Sequence, residues 1–323
     1  MKKFVNFSFC TVFVLAVCLA AGCKAPSGGG GSGSGGGGGS EQGGGGGGSN
    51  ISTPTKVDEQ TIEGTTYDIV TFGTFPQSEK DSTVSITSES KIVGSFTYYK
   101  GDDNEWYAEL NSKYYKVEPI KWRVLTTNYD HDGNASTPGK KLLFAENILI
   151  NKPYDDDSNS YADSTIRNYL KGDFLTIAFT QAEQDAIAAT IVVNNAESTN
   201  PDGNATLWNN GANQNAGDPT EDTIFLLSEQ EATKAEYGFG AYNECKGDGT
   251  HNDSTRIRMT TAFAKANGAW QSSTYGYGGC WWLRSPNCSN SNDARDVDGN
   301  GDAYYKDRVY SDSVGVVPAL CLN

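Results

Sequence analysis

Gly279-Cys280-Trp281-Trp282-Leu283-Arg284-Ser285-Pro286 and Gly315-Val316-Val317-Pro318-Ala319-Leu320 frame the end of the chain. Both runs are apolar, β-branched or aromatic and bounded by glycine or proline, the pattern of buried strands. Two more strand-like runs lie between them, Ala294 to Val297 and Ala303 to Val309. Further back, Tyr67 to Gly73, Ser95 to Tyr99, Lys113 to Val117, Ile120 to Leu125 and Lys141 to Glu146 repeat the pattern. The middle is helical in pieces. Asp163-Ser164 precedes Ile166, Tyr169 and Leu170 at helical spacing, and Thr180-Gln181-Ala182-Glu183 and Ser228-Glu229-Gln230-Glu231 have capping-box form. Thr260-Thr261 opens a further helix that Gly268 should terminate, and Asn194 to Pro219 is a long Asn/Gly/Asp-rich loop. Short strands mixed with a few small helices predict an α+β domain, with Trp122, Trp281, Trp282 and Arg284 in its core and frame.

The amino terminus has a different character. Lys2 and Lys3 precede an apolar run from Phe9 to Ala21, too short and too terminal for a spanning helix. Leu19-Ala20-Ala21-Gly22-Cys23 resembles a lipobox, so residues 1–22 read as a lipoprotein signal and Cys23 as the lipidated residue, the palmitate-bearing membrane anchor. Residues 28 to 48 hold 16 of the chain's 38 glycines, and residues 23–57 read as a tether that cannot bury apolar area. Such a chain of about 34 residues has a root-mean-square reach of roughly 30 Å. The globular domain then spans 58–323.

A net charge of −15 and a pI near 4.5 argue against a nucleic-acid partner, which would need a basic face to meet phosphates. Seven cysteines leave Cys245, Cys280, Cys288 and Cys321 in the domain, which permits three pairings and is too sparse for a disulfide scaffold. His131 and His251 are the only histidines, both in polar surroundings, so a histidine base or metal cluster has little material.

Val70 to Ser78 (Val-Thr-Phe-Gly-Thr-Phe-Pro-Gln-Ser), Ile120 to Leu125, Ser164-Thr165-Ile166-Arg167, Trp281 to Pro286 and Val314 to Leu320 together resemble one family. It is a bacterial extracytoplasmic domain related to the formylglycine-generating-enzyme type of the C-type lectin fold. The glycine-rich lipoprotein start and the tail resemble, more narrowly, the variable proteins of diversity-generating retroelements. From Asn287 to Ser313, Asn, Ser, Asp and Tyr supply 17 of 27 residues. Such retroelements randomise adenines, and altered asparagine codons yield nearly every residue type present, Lys306 excepted. The resemblance implies a C-type-lectin-like domain with a variable region at about 280–323. It also implies a surface that binds varied protein or glycan ligands, as tyrosine with Ser, Asn and Gly does in antibody paratopes. The expected contact residues are Asn287, Ser289, Asn290, Asn292, Asp293, Arg295, Asp296, Asp298, Asn300, Asp302, Tyr304, Tyr305, Lys306, Asp307, Arg308 and Tyr310. The expectation is a monomeric, non-enzymatic protein of the cell envelope, lipid-anchored in the outer membrane and facing the exterior, without cofactor or metal.

Rival readings exist. Asp296-Val297-Asp298-Gly299-Asn300-Gly301, followed by Asp307, matches part of an EF-hand loop, but no helix pattern flanks it and a turn between strands is favoured. Asp155-Asp156-Asp157 reads as a solvated loop, and Asn200-Pro201-Asp202 lacks the carboxylate partners of a calcium-dependent sugar site. Cys280 and Cys288 do not match the catalytic pattern of formylglycine-generating enzymes. The alternative function is an extracytoplasmic carbohydrate-binding or catalytic domain with a fixed ligand.

Overall fold

The computed structural model describes residues 52–129, 139–199, 213–240, 253–274, 276–288, 290–303 and 306–323. The signal, Cys23, most of the tether, His131, His251, Cys245 and Asn200-Pro201-Asp202 lie outside them. Contacts divide the chain at Gly48, and the unit from Gly48 to Asn323 contains every described residue.

Seven strands open it: β1 (Thr55–Ile62), β2 (Thr65–Glu79), β3 (Ile86–Val93), β4 (Phe96–Gly101), β5 (Trp106–Leu110), β6 (Lys113–Tyr129) and β7 (Lys140–Ala145). The short β8 (Asn147–Ile148) and β9 (Ile150–Asn151) lead to helices α1 (Thr165–Tyr169), α2 (Leu175–Ala178) and α3 (Gln181–Ala186). Next come β10 (Thr190–Val192), β11 (Thr220–Asp222), β12 (Ile224–Phe225), β13 (Met259–Thr260) and α4 (Ala262–Asn267). The chain closes with β14 (Trp281–Pro286), β15 (Asp293–Val297), β16 (Lys306–Arg308), β17 (Gly315–Val316) and β18 (Ala319–Leu322).

The main sheet runs β12-β18-β7-β6-β5-β4-β3, with β2 also on β6 and β1 on β2. A second sheet has the order β16-β15-β14-β17-β9, antiparallel except between β14 and β17. Two further pairs, β10-β11 and β13-β8, complete the strands of the described residues.

The α+β expectation is overturned: strands make up 43% and helices 15% of the structure, in several antiparallel sheets, so the domain is β-rich. The helical patterns are real but last one turn or little more. α1 has five residues, α2 four, α3 six and α4 six. Phe179 ends α2 in an extended conformation, and left-handed Gly268 ends α4. Ser228 and Glu231 do exchange reciprocal capping bonds, yet only a 3-10 turn, Glu231–Thr233, follows them. Conversely, Lys113 to Val117 and Ile120 to Leu125 fuse through Pro119 into a single strand of 17 residues.

The core lies where these sheets and short helices meet. Trp122, Trp281 and Trp282 are fully buried, and each indole N–H donates to a backbone carbonyl, of Phe72 (2.7 Å), Arg256 (3.2 Å) and Lys152 (2.9 Å) respectively. Burying a Trp requires such a partner, because an unmet N–H would offset much of the gain from its apolar area. Gly73, at φ +68, occupies the register shift between Thr71 and Thr74, and a Cβ there would fall 2.5 Å from the Phe179 ring. Only glycine fits that bulge.

Candidate functional site

The second sheet carries the described part of the stretch from Asn287 to Ser313. β14 enters it with all six residues buried, anchored by Arg284. That guanidinium forms a two-point ion pair with Glu231, and its Nη1 also donates to Leu226 O at 2.8 Å. Tyr129 donates to the same carboxylate at 2.6 Å. Burial would raise the Glu231 pKa, but Arg284 and these hydrogen bonds bring it below the ordinary glutamate value. The pair is satisfied on both sides, which is the condition for tolerating buried charge.

The link from β14 to β15 is fixed by the buried carboxamides of Asn159 and Asn213 and the half-buried one of Asn215. Asn159 Nδ2 lies 3.2, 3.1 and 2.8 Å from the carbonyls of Asn287, Asn290 and Asp293. Asn213 and Asn215 donate to Pro286 O at 3.0 Å and Asn287 O at 2.7 Å. β15 follows as an inner strand, with all five residues buried.

Inner position corrects part of the expected contact surface. Asn287, Asp293, Arg295, Asp296, Asn300 and Asp302 are buried, so their side chains serve the frame rather than face a partner. Arg295 Nε sits 3.4 Å from Glu229 Oε2. Burial raises the Glu229 pKa to about 7, with Arg295 opposing the rise and Asp302 adding to it. Burial also lifts Asp296 well above the carboxylate range, reinforced by Asp307 and Asp298. Asp298 is half-buried and caps a turn: its Oδ1 accepts from Asn300 N (2.9 Å) and Asp302 N (3.4 Å). Strand β15 leads into that turn, and no group of three or more His, Cys, Asp or Glu among the described residues is arranged to hold a metal.

The exposed members gather at the sheet's edge. Asn292, Lys306, Arg308 and Tyr310 are exposed, and Asn290 and Asp307 are half-buried, whereas Ser289, Tyr304 and Tyr305 lie outside the described residues. β16 is the edge strand, paired so that Arg308 opposes Asp293 and Lys306 opposes Arg295. Both cations converge on Asp293, Arg308 at 3.0 Å and Lys306 at 3.3 Å. Half-exposed pairs of this kind add less than about 1 kcal/mol each, so their role is to orient side chains. Tyr310 stands 60% exposed beside them in sequence.

Trp270 is an exposed aromatic beside this sheet that sequence reading missed. It is 46% exposed, its backbone N–H donates to Ser313 O at 2.8 Å, and a Cβ on Gly299 would lie 3.0 Å from its ring. The indole therefore rests on the Asp298–Asp302 turn. Nothing in its neighbours' periodicity marks it, because Trp270 belongs to neither helix nor strand.

Cys280 and Cys321 are in no disulfide. Burial, then Asp296 and Asp298, push the Cys280 thiol far above its ordinary value, and burial pushes Cys321 up to about 12. Such thiols stay protonated and unreactive. Among the described residues no helix is long and apolar enough to cross a membrane.

Fold and site together define a β-rich domain whose carboxy-terminal sheet presents a short, polar, aromatic-flanked edge on a rigid frame. The chain belongs to the family described as Domain of unknown function (DUF6273), whose signature matches residues 138–323, more than half of its length. No curated protein and no solved structure matches it.

Proposed function

We propose that this is a non-enzymatic, surface-displayed ligand-binding protein that recognises protein or glycan partners through the exposed edge of its carboxy-terminal sheet. Asn290, Asn292, Lys306, Asp307, Arg308 and Tyr310 make the contacts, with Trp270 as a second aromatic anchor. The observation that carries this reading is the division of one polar stretch into a buried frame held by hydrogen bonds to Asn159, Asn213 and Asn215 and an exposed edge of mixed charge, amide and aromatic character. Binding surfaces are built this way, with adaptable side chains on elements that do not move. The lipobox-like sequence ending at Cys23 and the glycine-rich tether support display from a lipid anchor on the outer membrane. The resemblance to the variable protein of a Treponema diversity-generating retroelement supports diversification of the exposed positions.

The test is to sequence this locus and its surroundings in several isolates. Adenine-restricted differences at codons 290, 292, 306, 307, 308 and 310 are expected, with Trp281 to Pro286 and Gly315 to Leu320 constant and a template repeat and reverse transcriptase nearby. An invariant stretch with no template would replace diversification by a fixed ligand at the same edge.

A further inference from the structure

Strands β3, β4 and β5, with the segment from Thr176 to Thr180, enclose a cleft of ≈ 570 Å³. That volume suits a small ligand. Its lining includes Lys91, Tyr98, Trp106, Ile177 and Phe179. Lys91 Nζ lies 4.2 Å from the Trp106 ring centroid, and Lys100 Nζ lies 4.7 Å from the same ring. Attraction to the ring quadrupole holds two like charges beside one indole, against their mutual repulsion.

Neither ammonium has an acidic partner among the described residues, although the chain carries a net charge of −15. Glu105, on the same cleft wall, is engaged by Lys116 at 3.4 Å. Burial and then Lys100 lower the Lys91 pKa, the signature of a cation short of counter-charge. Tyr98, only 3% exposed, gives its ring to the cleft wall, while its hydroxyl is buried beneath that wall.

We propose that this cleft is a binding site for a small organic carboxylate with an apolar ring. Lys91, with Lys100 beside it on the Trp106 ring, faces the carboxylate, and Trp106, Ile177 and Phe179 hold the ring. The site is separate from the carboxy-terminal edge, so neither proposal depends on the other.

Calorimetric titration of the full chain with benzoate and with cyclohexanecarboxylate tests it and separates an aromatic acid from an alicyclic one. Saturable binding of one of them is expected, with the neutral isostere benzamide inert. The K91Q/K100Q double variant should weaken binding at least about tenfold. In the unaltered protein, bound acid should also shield the Lys91 and Lys100 amines from acetylation, read by mass spectrometry. The proposal is overturned if neither acid binds up to about 20 mM, if the double variant binds as well as the parent, or if binding leaves both amines unprotected.

Discussion

Glu229 shows how one buried carboxyl couples this domain to pH. Neither of its carboxylate oxygens accepts a hydrogen bond, and its pKa rises from 4.5 to about 7. The folded state holds that proton more tightly than the unfolded chain. Its contribution to stability is therefore complete below pH 4.5 and is lost as pH rises through about 7. Asp296 acts with the same sign. Glu231 acts oppositely: its pKa is lowered, so its contribution holds above the ordinary glutamate value and fades in acid. The thermal midpoint should thus peak at mildly acidic pH. Glu229→Gln should flatten its decline between pH 5 and 8, a change on the order of 2–3 kcal/mol. A parent protein with no such decline would exclude a buried, titrating Glu229. Arg284→Met strands Glu231 in the core and should cost about 3–5 kcal/mol by urea denaturation, and adding Glu231→Gln should restore part of the loss. That Arg284 belongs to the frame is legible from its apolar neighbours. Its partner, 53 residues earlier, is not.

At the scale of elements, turns and caps are readable because their rules are local. Thr180 and Glu183 form the full capping box, and Thr261 and Gly268 bound α4. Thr180→Ala should cost about 1 kcal/mol in thermal unfolding. Gly276 and Gly301 are both left-handed, at φ +82 and +87, but a Cβ meets nothing at Gly276 and falls 2.0 Å from Asp253 O at Gly301. Gly276→Ala should cost about 1–2 kcal/mol, the strain alone, and Gly301→Ala distinctly more. Equal losses in chemical denaturation would show that the Asp298–Asp302 turn is not packed on Asp253. Strand lengths were less legible than strand positions. Lys113 to Val117 and Ile120 to Leu125 read as two runs, yet β6 carries Pro119 between them because it sits at an irregular stretch of the β2 ladder.

For the whole molecule, the boundary near Gly48 implies that a chain beginning there unfolds at the same midpoint as the full protein; a shift of several degrees by calorimetry would show that the amino-terminal segment takes part in the fold. Which residues meet a partner is likewise decided at this scale. Asn, Ser, Asp and Tyr in one stretch mark a surface-like composition, but composition is blind to sheet order. β15 and β16 are similarly polar, and only strand order makes the first an inner, covered strand and the second an edge. The same blindness hid Trp270 and the cleft beside Trp106, whose walls come from segments some 70 residues apart in the chain.

By itself, the sequence determined what depends on near neighbours: the strand-forming runs, the caps and turns, the buried tryptophans, the acidic charge and the unusual tail. Tertiary structure decided that the short helices are minor beside long paired strands, that six of the thirteen described contact candidates are buried in the frame, and that two lysines share one indole. Those outcomes rest on contacts between residues far apart in the chain, whose burial and pairing no local pattern encodes.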